Sequence, residues 1–181
     1  RHIRALSERL VQGEPLTHNM LSWAKQHVEW SLAEGDYTAR DGVLMLVIDV
    51  NGNAAMTVGE YEPLTDTSAK ALRARSAEAR SEADETGVAP ELLAAVDNGE
   101  LAFVAPADEC LCGTATLIEQ LAQTKGIPVT RVDIPAQLKG ALFLVSDEHG
   151  VVPATETDAA EADAATVAFF ADGYEKLRAR R

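Results

Sequence analysis

Apolar positions along this chain fall into short blocks whose spacing alternates between helical and strand periods. Ile3, Leu6 and Leu10 recur at helical spacing, so residues 1 to 12 read as the end of a helix. Met20, Leu21, Ala24, Val28 and Leu32 predict a second helix over residues 17 to 33, stopped by Gly35. Trp23 and Trp30 share one side of it, either as a packed core edge or as the floor of a pocket. Residues 43 to 50 are almost continuously apolar, the pattern of a central strand covered on both faces. Asn51-Gly52 then predicts a tight hairpin turn, with an antiparallel return over residues 53 to 58.

Residues 62 to 87 change character. Pro63, Thr65, Asp66, Thr67 and Ser68 supply a loop and a helix cap. The helix-favouring run behind them carries one large aliphatic residue, Leu72. Such a helix packs through a thin alanine stripe or bridges domains through solvent, and the domain boundary is expected here. The predicted organisation is a small helix–hairpin domain (1–62), a helical linker (63–87) and a mixed-sheet domain (88–181). The fold class is therefore α/β (α+β), with two small mixed-sheet domains.

The mixed-sheet part is the most readable. A hairpin is expected over residues 91 to 105 around Asp97-Asn98-Gly99. A small-residue loop with Gly113 and Thr114 leads into a helix bearing Leu117, Ile118, Leu121 and Ala122 on one face. Gly126 and Pro128 stop that helix, and Ile127, Val129, Val132 and Ile134 alternate as a strand. A second strand runs from Leu142 to Val145, breaks over residues 146 to 150 and resumes at Val151. A last helix is capped within residues 155 to 158, buries Val167, Phe170, Tyr174 and Leu177, and ends in Lys176, Arg178, Arg180 and Arg181.

The formal charge of −13, from 16 basic and 29 acidic residues, argues against a nucleic-acid partner. No run of about 18 apolar residues exists to span a membrane. The cysteines, Cys110 and Cys112, are too close for an ordinary structural disulfide and point to a reducing compartment, the cytoplasm by default. Free amides at Gly113 and Thr114 would favour an anion such as a phosphate, and the loop from Ser146 to Gly150 is a second candidate wall of the same crevice.

The stretch CLCGTATLIEQLAQTKGIPVTRVDI, followed by ALFLVSDEHGVVP, resembles the cofactor-binding half of class IV aminotransferases. These are the fold-type IV pyridoxal-phosphate enzymes, including branched-chain aminotransferase, D-amino-acid aminotransferase and aminodeoxychorismate lyase. The resemblance implies amino-group transfer between an amino acid and a 2-oxo acid through pyridoxal phosphate, in a homodimer. It implies Lys70 as the catalytic lysine, with Gly113, Thr114, Ala115, Ser146 and Asp147 around the cofactor. Lys70 also reads as a solvated residue on an exposed helix.

The departures from the family pattern are specific. Ala115 and Thr116 replace the threonine and arginine of the first loop. Val145 replaces a threonine in the second, where Asp147 and Glu148 bring negative charge. The strand carrying the family's glutamate is not recognisable, and Glu91 is a weak substitute. The family's opening strands are also absent ahead of His2, and the start at Arg1 suggests a piece of a longer protein.

Two further readings follow. One is a degenerate, non-catalytic relative that serves as a binding or oligomerisation module. The other is a thiol-dependent enzyme, with Cys110 or Cys112 activated at a helix N-terminus and paired with His149, or a metal site built from the same residues. His18 and His27 share no helix face and read as structural or exposed.

Overall fold

A computed structural model describes residues 2–34, 42–48, 53–156 and 158–179. The expected stop at Gly35, the Asn51-Gly52 turn and the cations Arg180 and Arg181 lie outside them.

Local turn chemistry builds the central sheet. Strands β5 (Glu91–Asp97) and β6 (Glu100–Val104) form an antiparallel hairpin. Asn98 (φ 51°) and Gly99 (φ 77°) turn it, both left-handed as a two-residue primed turn requires. Helix α4 (Gly113–Lys125) ends at Gly126, which is also left-handed, and carries the chain over to β7 (Val129–Val132). β7 lies parallel to β6. Strands β8 (Ala141–Ser146) and β9 (Gly150–Pro153) add antiparallel to the other side of β5, giving the order β7-β6-β5-β8-β9.

Alternation along these strands sorts the core into two layers. Leu92, Ala94, Val96, Phe103, Phe143 and Val145 face one side, against Ile118 and Ala122 of α4 and Val167 and Phe170 of α5 (Glu161–Arg178). Leu93, Ala95, Leu142 and Leu144 face the other, against Leu72 of α3 (Ala69–Thr86). With helices on both faces, β5 is buried along nearly its whole length.

Helix α3 takes the first of the two roles open to it. Its buried residues are Leu72, Ser76, Ala79 and Ala83, a narrow stripe at spacings of four, three and four. Ser68 caps its start by accepting from the Ala71 amide, and left-handed Gly87 closes its end. Ser76 adds a polar lock. β5–β6 pairing begins only at Ala94, and the Leu93 amide donates to Ser76 Oγ at 3.1 Å instead.

The N-terminal part departs further from expectation. The first helix, α1, covers only His2–Ser7. Leu10–Val11 (β1) and Glu14–Pro15 (β2) then form a small hairpin turned by Gln12 and Gly13, both at positive φ. Helix α2 spans His18–Glu34, with Ala24 fully buried. Strand β3 (Gly42–Ile48) is not central. Among the described residues it pairs only with β4 (Ala54–Glu60), in a two-stranded ribbon. Met45 and Val47 are each 55% exposed on it, so a continuous apolar run here does not mean burial on both faces. The last helix starts at Glu161, capped by Ala160 rather than by a side chain from residues 155 to 158.

Candidate functional site

The structure brings together the two turns expected to face one crevice. The first is the N-terminus of α4, whose capping residue Cys112 makes no side-chain capping hydrogen bond. The first helical amides therefore need an outside acceptor. They find one in the second turn. The Asp147 carboxylate accepts from the Thr114 amide at 2.7 Å and from the Gly113 amide at 3.4 Å. The chain's own carboxylate thus stands where the helix dipole favours an anion.

One atom is left over. Thr114 is 1% exposed, and its Oγ1 has no hydrogen-bond partner. Ala115 is fully buried beside it, and Thr116 turns its hydroxyl to the Leu111 carbonyl.

Ser146 belongs to a neighbouring network at the same end of the sheet. Its hydroxyl donates to Glu91 Oε1 at 3.0 Å and accepts from the Glu148 and His149 amides, which shapes the turn. Glu91 is buried, opens β5 and pairs with Arg75 of α3 through two hydrogen bonds of 2.7 and 2.9 Å. That pairing holds the Arg75 guanidinium above its ordinary pKa. His149 lies between Arg75 (3.4 Å from Nε2) and the Tyr61 hydroxyl (3.4 Å from Nδ1). Neither Arg75 nor Tyr61 stood out in the sequence. The one available signal is that Arg75 adjoins the buried stripe at Ser76, so its stem starts beside the core.

Lys70 is not part of this assembly. The Thr67 carbonyl accepts from the Thr155 amide, and the adjacent Ala154 amide donates to the Leu142 carbonyl. The start of α3 is thereby tied to the Leu142 end of β8. Ser146 lies four residues further on, roughly 13 Å at strand rise. The Leu72 end of α3 and helix α4 also lie on opposite faces of the sheet, although Ala83 at the other end of α3 joins the α4 side. Lys70 itself is exposed.

The cysteine–histidine pair does not form. Both ring nitrogens of His149 face Arg75 and Tyr61. Burial, with Asp147 adding to it, pushes the Cys112 thiol far up rather than down. Exposed Cys110 is also raised, by partial desolvation and then by Glu8. At this helix N-terminus burial, joined by the Asp147 carboxylate, outweighs the lowering that the dipole would give the Cys112 thiol. Among the described residues no group of three His, Cys, Asp or Glu side chains could hold a metal ion. No described helix is long and apolar enough to cross a membrane. Two shallow hollows, of about 190 and 210 Å³, lie away from the α4 terminus, beside Lys139 and beside Phe169.

No family model matches this chain, and no curated protein does. Solved structures do. A fold IV transaminase from Curtobacterium pusillum superposes with a TM-score of 0.50 at 15% identity, over 89% of this chain and 73% of that one. The fold is that of the fold-type IV aminotransferases. An aminotransferase from Brucella abortus, solved with PLP, gives 0.49 at 11% identity over 90% and 78% of the two chains. A candidate 4-amino-4-deoxychorismate lyase gives 0.47 at 18%, over 90% and 86%.

Fold-type IV architecture raises the question of whether these residues would accept the phosphate of PLP. Two amides and the orphaned Thr114 hydroxyl are suitable donors. The Asp147 carboxylate, however, already holds the amides, and a second anion beside it would be repelled. With the side chains as they stand, the phosphate does not fit.

Proposed function

We propose that this chain is a non-catalytic relative of the fold-type IV aminotransferases, a cytoplasmic binding or assembly module that keeps their scaffold without the amino-transfer step. The separation of Lys70 from the α4 N-terminus carries this reading. Amino transfer needs one lysine within reach of a cofactor whose phosphate is held a few ångströms away. In support of it, Lys70 is exposed and the Leu72 end of its helix packs on one face of the sheet, whereas the amides belong to the helix on the other. The domain organisation expected from the sequence, with residues 1–62 and 88–181 as units, goes with a homodimer as the functional assembly.

The test is direct. The purified protein is mixed with pyridoxal phosphate, desalted and scanned, alongside Lys70→Ala. The expected result is no retained visible band in either protein and the same thermal midpoint for both. A visible band that survives desalting in the parent and is lost in Lys70→Ala would restore the aminotransferase reading. Light scattering after gel filtration reads the assembly state.

A further inference from the structure

We propose that Asn98 is a site of spontaneous deamidation which the Asp163 carboxylate holds shut, and that the modified side chain would push the β5–β6 hairpin off α5. The chemistry uses neither Lys70 nor the α4 amides, so it goes beyond the functional reading and does not depend on it.

Asparagine followed by glycine is the dipeptide most prone to this reaction, because glycine has no Cβ to hinder attack on the neighbouring side chain. The Gly99 nitrogen gives up its proton and bonds to Asn98 Cγ, and the side-chain nitrogen leaves as ammonia. Water then opens the five-membered imide at one carbonyl or the other, leaving aspartate or isoaspartate. Solvent reaches the pair freely. Both residues are exposed, and a methyl built on Gly99 would meet nothing within 4 Å.

Two contacts set the outcome. The first engages the attacking nitrogen. The Gly99 amide donates to Asp163 Oδ1 at 2.9 Å and the Asn98 amide to Oδ2 at 3.1 Å, from a carboxylate that is itself buried on α5. Taking the proton off Gly99 would set a negative nitrogen beside that carboxylate, and like charges this close oppose each other strongly where water is excluded. The second contact lies on the side chain. Asn98 Nδ2 donates to Asp97 Oδ1 at 3.2 Å. Deamidation replaces that donor with a carboxylate, so an attraction becomes a repulsion. Glu100 stands opposite Asp97 across the hairpin, and Asp163 is bonded to the turn's backbone. The base on that corner is Lys139, across the hollow it shares with Asp97 and Glu100. Isoaspartate would also lengthen the backbone of a two-residue turn. The change is therefore one-way: once made, it weakens the contact that had prevented it.

The experiment holds the full chain in mildly alkaline buffer and follows the peptide carrying Asn98 by mass spectrometry, with isoaspartate separated by retention. The urea-unfolded chain sets the unprotected rate. The native parent should fall below it by about tenfold or more, the factor that a hydrogen bond to a charged group supplies. Asp163→Ala should recover most of that difference. Asp163→Asn keeps the shape without the charge, should recover part of it, and covers an alanine variant that does not fold. Arg75→Ala weakens the fold at the opposite end of β5 and should leave the Asn98 rate at the parent's level. Asn98→Asp supplies the product directly and should speed amide exchange at positions 98 and 99, whereas Asn98→Gly, which suits the left-handed turn without adding charge, should not. A native parent as reactive as the unfolded chain overturns the proposal. So do folded Asp163 variants no faster than the parent, an equal rise in Arg75→Ala, or unchanged exchange in Asn98→Asp.

Discussion

At the scale of single residues, the polar groups at the turn end of the sheet are structural commitments with measurable effects. Arg75 is the partner of a buried carboxylate, and Arg75→Ala would leave Glu91 with only Ser146. Breaking a fully buried pair costs about 3–5 kcal/mol. The Arg75 side chain is 37% exposed, so we expect a smaller loss of about 2 kcal/mol, read from urea unfolding.

Cys112 supplies a pH dependence. The folded chain keeps this thiol protonated well above the ordinary value of 9.0. Below that value both states hold the proton, and stability is indifferent to it. Above it the unfolded chain loses the proton first. Stability should therefore be flat to about pH 8 and then fall, by up to about 1.4 kcal/mol per pH unit from this thiol. Cys110 and Tyr174 are raised too and act in the same direction, so the comparison with Cys112→Ala isolates the share of Cys112. A parent and variant with identical slopes above pH 9 would contradict the assignment.

Elements show which signals in a sequence travel. The hairpin at Asn98-Gly99 was readable because its turn needs left-handed residues and the chain provides them. Helix α4 was readable from its apolar face and from Gly126. What stabilises the hairpin from outside was not. The buried carboxylate of Asp163, on α5, accepts from the Asn98 and Gly99 amides at 3.1 and 2.9 Å. No local pattern reveals a partner more than sixty residues away. Asp163→Ala should cost about 2–3 kcal/mol, the usual range for losing a charge-assisted hydrogen bond, and should speed amide exchange at the turn. Gly140→Ala tests the backbone in the same region. A methyl group there would lie 2.2 Å from the Val96 carbonyl at a left-handed φ of 77°, and should destabilise more than Gly99→Ala, whose methyl meets nothing.

The misread elements have a common cause. Residues 43 to 48 are apolar on both sides of a ribbon, and periodicity alone does not separate burial by other strands from exposure. Leu10, by contrast, continued a helical spacing, but the helix ends at Ser7 and the positive φ of Gln12 and Gly13 folds Leu10 into a small hairpin. The candidate site divides in the same way. Its two turns were readable as glycine-bearing loops, whereas the contact between them depends on where tertiary packing sends one aspartate.

For the whole molecule, a net charge of −13 is set against the exposed Met45 and Val47 of the ribbon. A free two-stranded hairpin is marginal in water, so this ribbon is the part of the surface with most to gain from association. Charge repulsion opposes it and is screened as salt rises, the Debye length falling from about 10 Å at 0.1 M to about 3 Å at 1 M. Sedimentation should show self-association strengthening with salt, and the double change Met45→Glu with Val47→Glu should remove that trend. Association that weakens with salt would instead place ion pairs at the contact.

The packing of Gly150 links α5 to the turn that holds the carboxylate. A methyl at Gly150 would lie 2.3 Å from the Tyr174 ring, so α5 rests directly on the β8–β9 turn. Loosening α5, for instance by proteolysis within it, is expected to loosen the Asp147 turn as well. Helix α5 is in this sense the latch on the Asp147 turn, and clipping it should uncover the α4 amides without altering a single residue among them.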